Sequence, residues 1–380
     1  MAEPPLVVVI DDVPSDRDLL AVELEASQAR AVPLHPRDVR DRALLARASL
    51  VVVDEYLTDW PEREALYRTA ADPVPHELPL TMRPAMGVSV AAIVREVTAA
   101  TGRATPIVLR TGEIDRLALG LPTGQRQHLF ARQHDIEWLF DKNEPDPTLD
   151  RPSAVARMLE LAAAADSVPG GRTDVARIAA WMELGEPPWA DVARLHLARS
   201  RPPRNALTDA SNGRDLLRWL LHQLLPYPAA LLDRWAVAAR LGVDPDSAAR
   251  LPADGFFAPL EQARYRGPLA GYLGPRWWRA GVDGFADDAL PMPQARERGA
   301  AVAAAHPPAV PLDMAVPVPV LGPDLGPDGM AEDHDAVRIL PDDWPAFADA
   351  AYARGSEAAR EPLSLLRRSA DSERWRRPKR

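Results

Sequence analysis

The sequence predicts an α/β fold, a doubly wound parallel sheet of five strands, followed by a mainly α-helical C-terminal domain. Two observations lead to this fold class. Strand-like and helix-like segments alternate through the first 165 residues, and repeated β–α units form parallel sheets. The segments 6–10 and 50–53 are also apolar throughout and rich in valine, which is typical of strands buried on both faces of such a sheet.

The elements of the sheet domain follow in order. The first strand, 6–10, leads into a helix over 15–27, with Ser15 as its predicted N-cap and Asp18 three positions on. The remaining predicted strands are 31–34, 50–53, 106–109 and 136–140. The remaining predicted helices are 37–47, 88–100 and 153–165. Residues 57–81 interrupt the alternation and contain several prolines, so we expect an insertion directly after the third strand.

The rest of the chain is less strongly patterned. Residues 170–290 are predicted to form a helical effector or interaction domain, with helices over 174–184, 191–199, 214–225 and 229–241. Residues 291–380 are predicted to form a proline-rich extended arm over 291–328, a short helix over 344–353 and a basic tail over 374–380. The predicted domains are therefore 1–165 with its insertion, 170–290 and 291–380.

Composition narrows the classes of function. A formal net charge of -10 argues against a general binder of nucleic acid or anionic membranes. The absence of cysteine removes disulfides, thiolate metal ligands and cysteine nucleophiles, and it fits a reducing cytoplasm. The sequence shows no signal-peptide pattern and no apolar stretch near the roughly 20 residues that span a bilayer. We therefore expect a cytoplasmic protein that does not associate with membranes.

Acidic side chains follow two of the predicted strands at the point where each strand ends. Asp11 and Asp12 come directly after the first strand, and Asp54 follows the third. The carboxyl ends of parallel strands meet at one edge of the sheet, where α/β proteins bind their ligands. Each close pair of such carboxylates repels by on the order of 4 kcal/mol. A Mg²⁺ ion, which prefers carboxylate and water oxygens, would relieve this repulsion.

Two further residues complete this edge. Thr111 follows the fourth strand and Lys142 follows the fifth. Of the 45 basic residues only Lys142 and Lys379 are lysine, so a lysine here indicates a chemical requirement. A hydroxyl and an ammonium beside a carboxylate–Mg²⁺ cluster would bind the oxygens of a phosphoryl group.

These five positions resemble the receiver domain of two-component response regulators, a flavodoxin-like fold. The resemblance covers about residues 4–165, and the segment 82–87, MRPAMG, is similar to a loop of that family. The resemblance implies that Asp54 accepts a phosphoryl group from a sensor histidine kinase. It also implies that Mg²⁺ is bound by Asp11, Asp12 and Asp54, and that the phosphoryl group is contacted by Thr111 and Lys142.

The chain departs from the family pattern at four places. The insertion lies directly after Asp54, and the proline that normally follows the lysine is replaced by Asn143. The aromatic residue usually found three positions before the lysine is Leu139 here, with Trp138 and Phe140 on either side. The segment between Thr111 and Lys142 is also longer than is usual.

These inferences predict a signalling protein in which phosphorylation of Asp54 controls the helical region or a partner. The chain is not expected to be an enzyme. Its expected partner is a sensor histidine kinase or another protein, and formation of a homo-oligomer is left open. The main alternative is a degenerate, unphosphorylated receiver that serves as a protein–protein interaction scaffold.

A third alternative is a DNA-binding regulator, because residues 235–250 resemble a helix-turn-helix core. Asp244 and Asp246 would open the second helix, where acidic side chains would meet DNA phosphates. The favoured interpretation is a helix that ends at Gly242, followed by a short capped helix. Nucleic acid is therefore not an expected partner.

Overall fold

The computed structural model describes residues 3–39, 42–57, 86–99, 104–144, 146–169, 174–203 and 213–358. Most of the predicted insertion 57–81 and all of the basic tail 374–380 lie outside these residues. The chain divides into two compact units. The first comprises Met1–Gly120, Gln127–Thr173 and Pro203–Arg218, and the second comprises Leu121–Arg126, Asp174–Pro202 and Trp219–Arg380. The chain therefore returns to the first unit twice after leaving it.

The first unit contains a five-stranded sheet in which all neighbouring strands are parallel. The strands are β1 (Leu6–Ile10), β2 (Arg30–Leu34), β3 (Leu50–Asp54), β4 (Ile107–Thr111) and β5 (Trp138–Asp141). Their order across the sheet is β2-β1-β3-β4-β5. The predicted α/β fold of flavodoxin-like type is confirmed, and each predicted strand is found within two residues of its expected bounds.

The apolar runs form the centre of this sheet. All five residues of β1 and of β3 are buried, including Asp54 at the end of β3. Ile10 is in register with Val53 across the two strands. Burial of each valine, leucine or isoleucine side chain stabilises the fold by about 1.5–3 kcal/mol. These two strands are therefore the stable centre of the sheet, and Asp11, Asp12 and Asp54 lie at their carboxyl ends.

Six helices connect or flank the strands within the described residues. They are α1 (Pro14–Ala26), α2 (Arg42–Arg47), α3 (Gly87–Ala99), α4 (Ile114–Leu117), α5 (Arg126–Gln133) and α6 (Ala154–Ser167). The prediction of Ser15 as N-cap was wrong. Helix α1 begins at Pro14, and Val13 occupies the cap position without a side-chain hydrogen bond. Proline suits the first helical position because its missing N–H would have no helical partner there.

Two other local predictions for this unit need correction. The predicted helix 37–47 is a 3₁₀ turn at Pro36–Asp38 and a separate short helix, α2. The helices α4 and α5, which occupy the long connection between β4 and β5, were not predicted.

Beyond residue 174 the described chain is mainly helical, as predicted. The helices are α7 (Val175–Trp181), α8 (Ala190–Arg199), α9 (Arg214–Trp219), α10 (Arg234–Leu241), α11 (Pro245–Ala249), α12 (Ala258–Gln262), α13 (Arg279–Ala289), α14 (Ala295–Ala305) and α15 (Gly355–Ala358). A core that includes Val237, Leu241, Phe257, Trp277 and Phe285 lies within the second unit. No helix in the described ranges has the length and apolar character needed to cross a lipid bilayer.

Two predicted helices of this region were too long. Helix α9 is continued by a wider π-helical turn at Leu220–Leu224 rather than by a regular helix to residue 225. The predicted helix 229–241 begins only after Asp233, whose carboxylate accepts a hydrogen bond from the Ala236 amide at 2.8 Å. The residues before that cap form a two-residue strand, β6 (Leu231–Leu232), paired with β7 (Trp277–Trp278).

The prediction of an extended arm over 291–328 was wrong where α14 lies within it, whereas the strand that follows in this range is extended. Four strands form two antiparallel pairs here, β8 (Pro317–Leu321) with β9 (Pro327–Glu332) and β10 (Ala336–Ile339) with β11 (Ala351–Arg354). The predicted helix 344–353 was also wrong, since β11 occupies its end. Ala351 and Ala353 are buried beside Ile339. Buried and partly exposed residues alternate along β11, and this packing outweighs the preference of alanine for helices.

The segment that resembles a helix-turn-helix core follows the favoured interpretation. Helix α10 ends at Gly242, whose φ of 72° lies in the left-handed region. Helix α11 follows the cap Asp244, which accepts hydrogen bonds from the amides of Asp246 and Ser247. A Cβ at position 242 would lie 1.8 Å from the Ala295 carbonyl oxygen, so the glycine fits a close packing of α10 on α14. Helix α11, with five residues and acidic side chains at its start, does not fit a recognition helix.

Candidate functional site

The carboxyl edge of the sheet collects the polar residues that were predicted to act together. Strand β3 lies between β1 and β4, so Asp54 is flanked by the residues that end those two strands. Asp11 and Asp12 directly follow β1, Thr111 ends β4, and Lys142 directly follows β5. The site is thus built from four neighbouring strand ends.

Each of these strands ends in the same local structure. Asp11, Asp54, Thr111 and Asp141 each accept, through one side-chain oxygen, a hydrogen bond from the backbone N–H two residues further on, at 2.8, 3.0, 3.1 and 2.9 Å, respectively. Asp and Thr side chains stabilise turns in this way because they replace a backbone acceptor. This explains in part why buried strands end on carboxylates. It leaves the second oxygen of each aspartate available for another contact.

Asp11, Asp12 and Asp54, which we call the acidic cluster, lie close together. One carboxylate oxygen from each lies within 4.8 Å of the others, and all three residues are at most 6 % exposed. Burial raises the pKa of Asp54 to about 6, and the charge of Asp11 adds to this rise, while a hydrogen bond from Lys142 opposes it. Three buried carboxylate oxygens at this spacing form a donor set that fits a hard divalent cation such as Mg²⁺.

Lys142 places its ammonium group against the acidic cluster. Its Nζ lies 2.7 Å from Asp54 Oδ1, 3.4 Å from Asp11 Oδ2 and 3.0 Å from Asp16 Oδ2. Burial lowers the pKa of Lys142, but the hydrogen bond and charge of Asp54 and the charge of Asp11 outweigh this effect and raise it. The ammonium is therefore held in its charged form, which is the form that can bind an anionic oxygen.

The loop that carries Lys142 is fixed on both sides. The Lys142 amide donates to the Thr111 carbonyl at 2.7 Å, and the Asn143 side-chain amide donates to the Gly112 carbonyl at 3.0 Å. Asn143, which stands where the receiver family has proline, thus links the ends of β4 and β5. Below the loop, the buried Arg157 pairs with Glu144.

The aromatic residues on either side of Leu139 support this loop from beneath. The Arg157 guanidinium lies 4.9 Å from the centre of the Phe140 ring and 6.0 Å from that of Trp138. Both rings are buried. Because they form part of the core around a buried ion pair, they fix the loop rather than line its surface.

The residue after Asp54 anchors helix α3 beside the site. Glu55 is buried, its side chain accepts a hydrogen bond from the Val88 amide at 3.0 Å, and its carbonyl accepts one from the Gly87 amide at 2.8 Å. Burial raises the pKa of Glu55 to about 7, although the hydrogen bond from Val88 opposes this. A Cβ at Gly87 would lie 2.2 Å from the Asp54 carbonyl oxygen, so only glycine allows α3 to begin this close to Asp54.

The structure brings together four of the five predicted site residues: Asp11, Asp12, Asp54 and Lys142. The fifth, Thr111, is fully buried on the strand next to Asp54, and its hydroxyl is engaged by the Glu113 amide. Of the segment 82–87, only Met86 and Gly87 lie within the described residues.

Sequence reasoning missed two residues of this site, Asp16 and Glu55. The hydrogen bond from Lys142 holds the pKa of Asp16 below its ordinary value. The sequence places Asp16 at the start of the helix that follows Asp11 and Asp12, but Asp18 lies close to the same helix start, so position alone did not select Asp16. For Glu55 the sequence showed only an acidic residue close to the end of a predicted buried strand.

A comparison with protein-family models, with curated proteins and with solved structures finds no match to this chain. The sheet topology and the acidic cluster are compatible with a receiver-like fold, and the cluster could bind a metal ion.

Proposed function

We propose that the first unit is a phospho-accepting receiver domain of a signalling protein. Asp54 accepts the phosphoryl group from a partner histidine kinase, and Asp11, Asp12 and Asp54 hold Mg²⁺. The observation that carries this proposal is the position of Lys142, 2.7 Å from Asp54 within a cluster of three buried carboxylates. In this proposal the chain is the substrate of the kinase and not itself an enzyme.

The chemistry of transfer fits the positions of the groups. A carboxylate oxygen of Asp54 forms a bond to phosphorus while the bond from phosphorus to the donor's histidine nitrogen breaks, and that nitrogen keeps the electron pair. Mg²⁺ supplies charge neutralisation for the phosphoryl oxygens. The ammonium of Lys142 donates to one of these oxygens, and its place beside Asp54 orients the group.

Thr111 provides a way for the phosphorylated state to be sensed. A hydroxyl can accept one hydrogen bond and donate another, so Thr111 can keep its contact with the Glu113 amide and donate to a phosphoryl oxygen. Because the carboxylate of Asp54 already carries one negative charge and its acyl phosphate carries about two, phosphorylation adds a net charge of about -1, which changes the contacts at the ends of β4 and β5. A partner or the second unit would respond to that change.

A second candidate function is an unphosphorylated scaffold for protein–protein interaction. The turns at the strand ends favour it, because the carboxylates of Asp11 and Asp54 already have a structural task in them. In this candidate the lysine contact is a buried ion pair and no metal is required.

Phosphoryl uptake by the full chain separates the two candidates. We expect Mg²⁺ and acetyl phosphate, a small-molecule phosphodonor, to raise the intact mass by one phosphoryl group, and we expect Asp54→Asn to abolish the gain. Asp141→Asn is the matched control, because Asp141 forms the same kind of turn at the end of β5, two strands away from β3, but is not part of the acidic cluster. It should still be phosphorylated.

The opposite result supports the scaffold. A folded wild-type chain that neither gains mass nor binds Mg²⁺ by calorimetry would contradict the proposal. Equal uptake by wild type and Asp54→Asn would place the acceptor at another residue.

A further inference from the structure

Asp16 contacts the key lysine although it is not one of the five positions of the receiver pattern. Its Oδ2 lies 3.0 Å from Lys142 Nζ, closer than the 3.4 Å of Asp11. It lies in the first turn of α1. The side chain of Asp16 is 44 % exposed, whereas those of Asp11 and Asp54 are nearly fully buried.

The three carboxylates around Lys142 are not equivalent. Asp11 and Asp54 each use their other oxygen in the turn that ends their strand, and both belong to the acidic cluster that fits a divalent cation. Asp16 belongs to neither arrangement. Its other oxygen lies 3.5 Å from the hydroxyl of its exposed neighbour Ser15, so its main contact is with Lys142.

The ammonium group of Lys142 has three N–H donors, and three carboxylates surround it. Phosphorylation of Asp54 replaces the contact of its carboxylate with the ammonium, and a phosphoryl oxygen lies further from the strand end than the carboxylate oxygen does. The contacts that hold Lys142 back from it are then those with Asp11 and Asp16. A cation at the acidic cluster would supply Asp11 and Asp54 with another counter-charge, but Asp16 would still depend on the lysine.

We propose that Asp16 is a positioning residue that holds Lys142 in the unphosphorylated state and competes with the phosphoryl group for its ammonium. This inference rests on the proposed function. Asp16 thereby sets how readily the phosphorylated state forms. Loss of its charge frees Lys142 for the phosphoryl oxygen without removing any ligand of the metal.

The test uses the full chain and beryllofluoride, a mimic of the phosphoryl group, in saturating Mg²⁺, with affinity measured by calorimetry. Asp16→Asn should bind beryllofluoride about two- to fivefold more tightly than wild type, the change expected when a half-exposed ion pair is lost. Its affinity for Mg²⁺ alone should be unchanged. Asp16→Glu, which keeps the charge, should behave like wild type.

The matched control is Asp18→Asn. Asp18 lies on the same helix and pairs with Arg17 at 3.3 Å instead of with Lys142, so its loss changes the net charge equally and should leave the affinity near that of wild type. Equal affinities for Asp16→Asn and Asp18→Asn would overturn the inference, as would weaker binding by Asp16→Asn. If the wild-type chain binds no beryllofluoride in Mg²⁺, the proposed function fails and this inference fails with it.

Discussion

At the scale of single residues, Asp11 and Asp54 each make two different contacts through their two carboxylate oxygens. In Asp54, Oδ2 accepts a hydrogen bond from the Tyr56 amide and Oδ1 faces Lys142. Asp11 divides its oxygens in the same way between the Val13 amide and Lys142. Because a carboxylate is planar and rigid, the turn therefore also fixes the direction of the oxygen that faces Lys142.

A buried histidine stacked on the first residue of β5 gives a prediction for the dependence of stability on pH. Burial lowers the pKa of His128 from 6.5 to about 3, and its ring is stacked on Trp138 with ring centres 6.3 Å apart. Since the unfolded chain takes up the proton near pH 6.5 and the folded chain does not, stability is fully present above that pH. It falls as the pH drops towards 3, by up to about 1.4 kcal/mol per pH unit.

We therefore expect His128→Phe to lose less stability than wild type between pH 6.5 and 4. Denaturant unfolding of the two full chains at several pH values measures the difference in slope, and other acid titrations cancel in that comparison. Parallel slopes for wild type and variant would show that His128 is not kept neutral by the fold.

The residues of the acidic cluster could be predicted from sequence because each stands directly after an apolar run, so strand and site share one signal. Lys142 was predicted from its place after the fifth strand, and the rarity of lysine in an arginine-rich chain supported that prediction. Asp16 could not be ranked above the neighbouring Asp18, since both lie in a polar helix start. Only the direction of α1 decides which of the two reaches the lysine.

At the scale of secondary-structure elements, the opposite end of β5 is fixed by a buried charge. Glu137, directly before β5, is fully buried and accepts hydrogen bonds from the Ile107 amide, from Arg214 at 3.0 Å and from Arg218 at 2.8 Å. Arg218 also pairs with Asp135. Helix α9 is thereby tied to the amino-terminal end of the sheet.

Removing the charge of Glu137 should destabilise the protein strongly. Glu137→Gln keeps the size of the side chain but removes the carboxylate that Arg214 pairs with and leaves Arg218 only its pair with Asp135. Breaking a buried ion pair costs on the order of 3–5 kcal/mol. Glu113→Gln is the matched control. Glu113 pairs with Arg116 at 3.0 Å, but the side chains are 52 % and 77 % exposed, so a loss below about 1 kcal/mol is expected.

Urea unfolding of both variants as full chains measures these losses. A loss for Glu137→Gln no larger than that of the control would show that the arginines find other partners or water.

Elements could be predicted where hydropathy alone defines them. The buried strands of the first unit carry continuous apolar runs, so their bounds were predicted within two residues. Helix α5 was missed because most of its residues are polar, and four of its eight residues are nonetheless buried. Helix α14 was missed because its alanine-rich sequence lies between prolines, and the prolines were interpreted as part of an extended arm.

At the scale of the whole molecule, the first unit is assembled from distant parts of the chain. Residues 203–218 return to it after a segment that belongs to the second unit. The two arginines that bind Glu137 therefore lie 77 and 81 positions away in sequence. No local pattern predicts such a pair, which is why the boundary placed near residue 165 could not include it.

This arrangement predicts a reversal in the effect of one substitution. A chain that ends at residue 169 lacks Arg214 and Arg218, so its Glu137 has lost both guanidinium partners. Glu137→Gln should then be neutral or stabilising in the short chain, although it is strongly destabilising in the full chain. Chemical unfolding of the four proteins provides the comparison, and an equal loss in both lengths would contradict it.

The return of residues 203–218 also has a consequence for biosynthesis. A ribosome making this chain releases all five strands of the sheet well before Arg214 and Arg218 exist. At about 5–20 residues per second, translation from residue 169 to residue 218 takes roughly 2–10 s. During that interval the nascent sheet carries Glu137 without the positive charges of Arg214 and Arg218. The first unit therefore cannot finish folding before residues 203–218 have been synthesised. Its last contacts are made only after part of the second unit has already been synthesised.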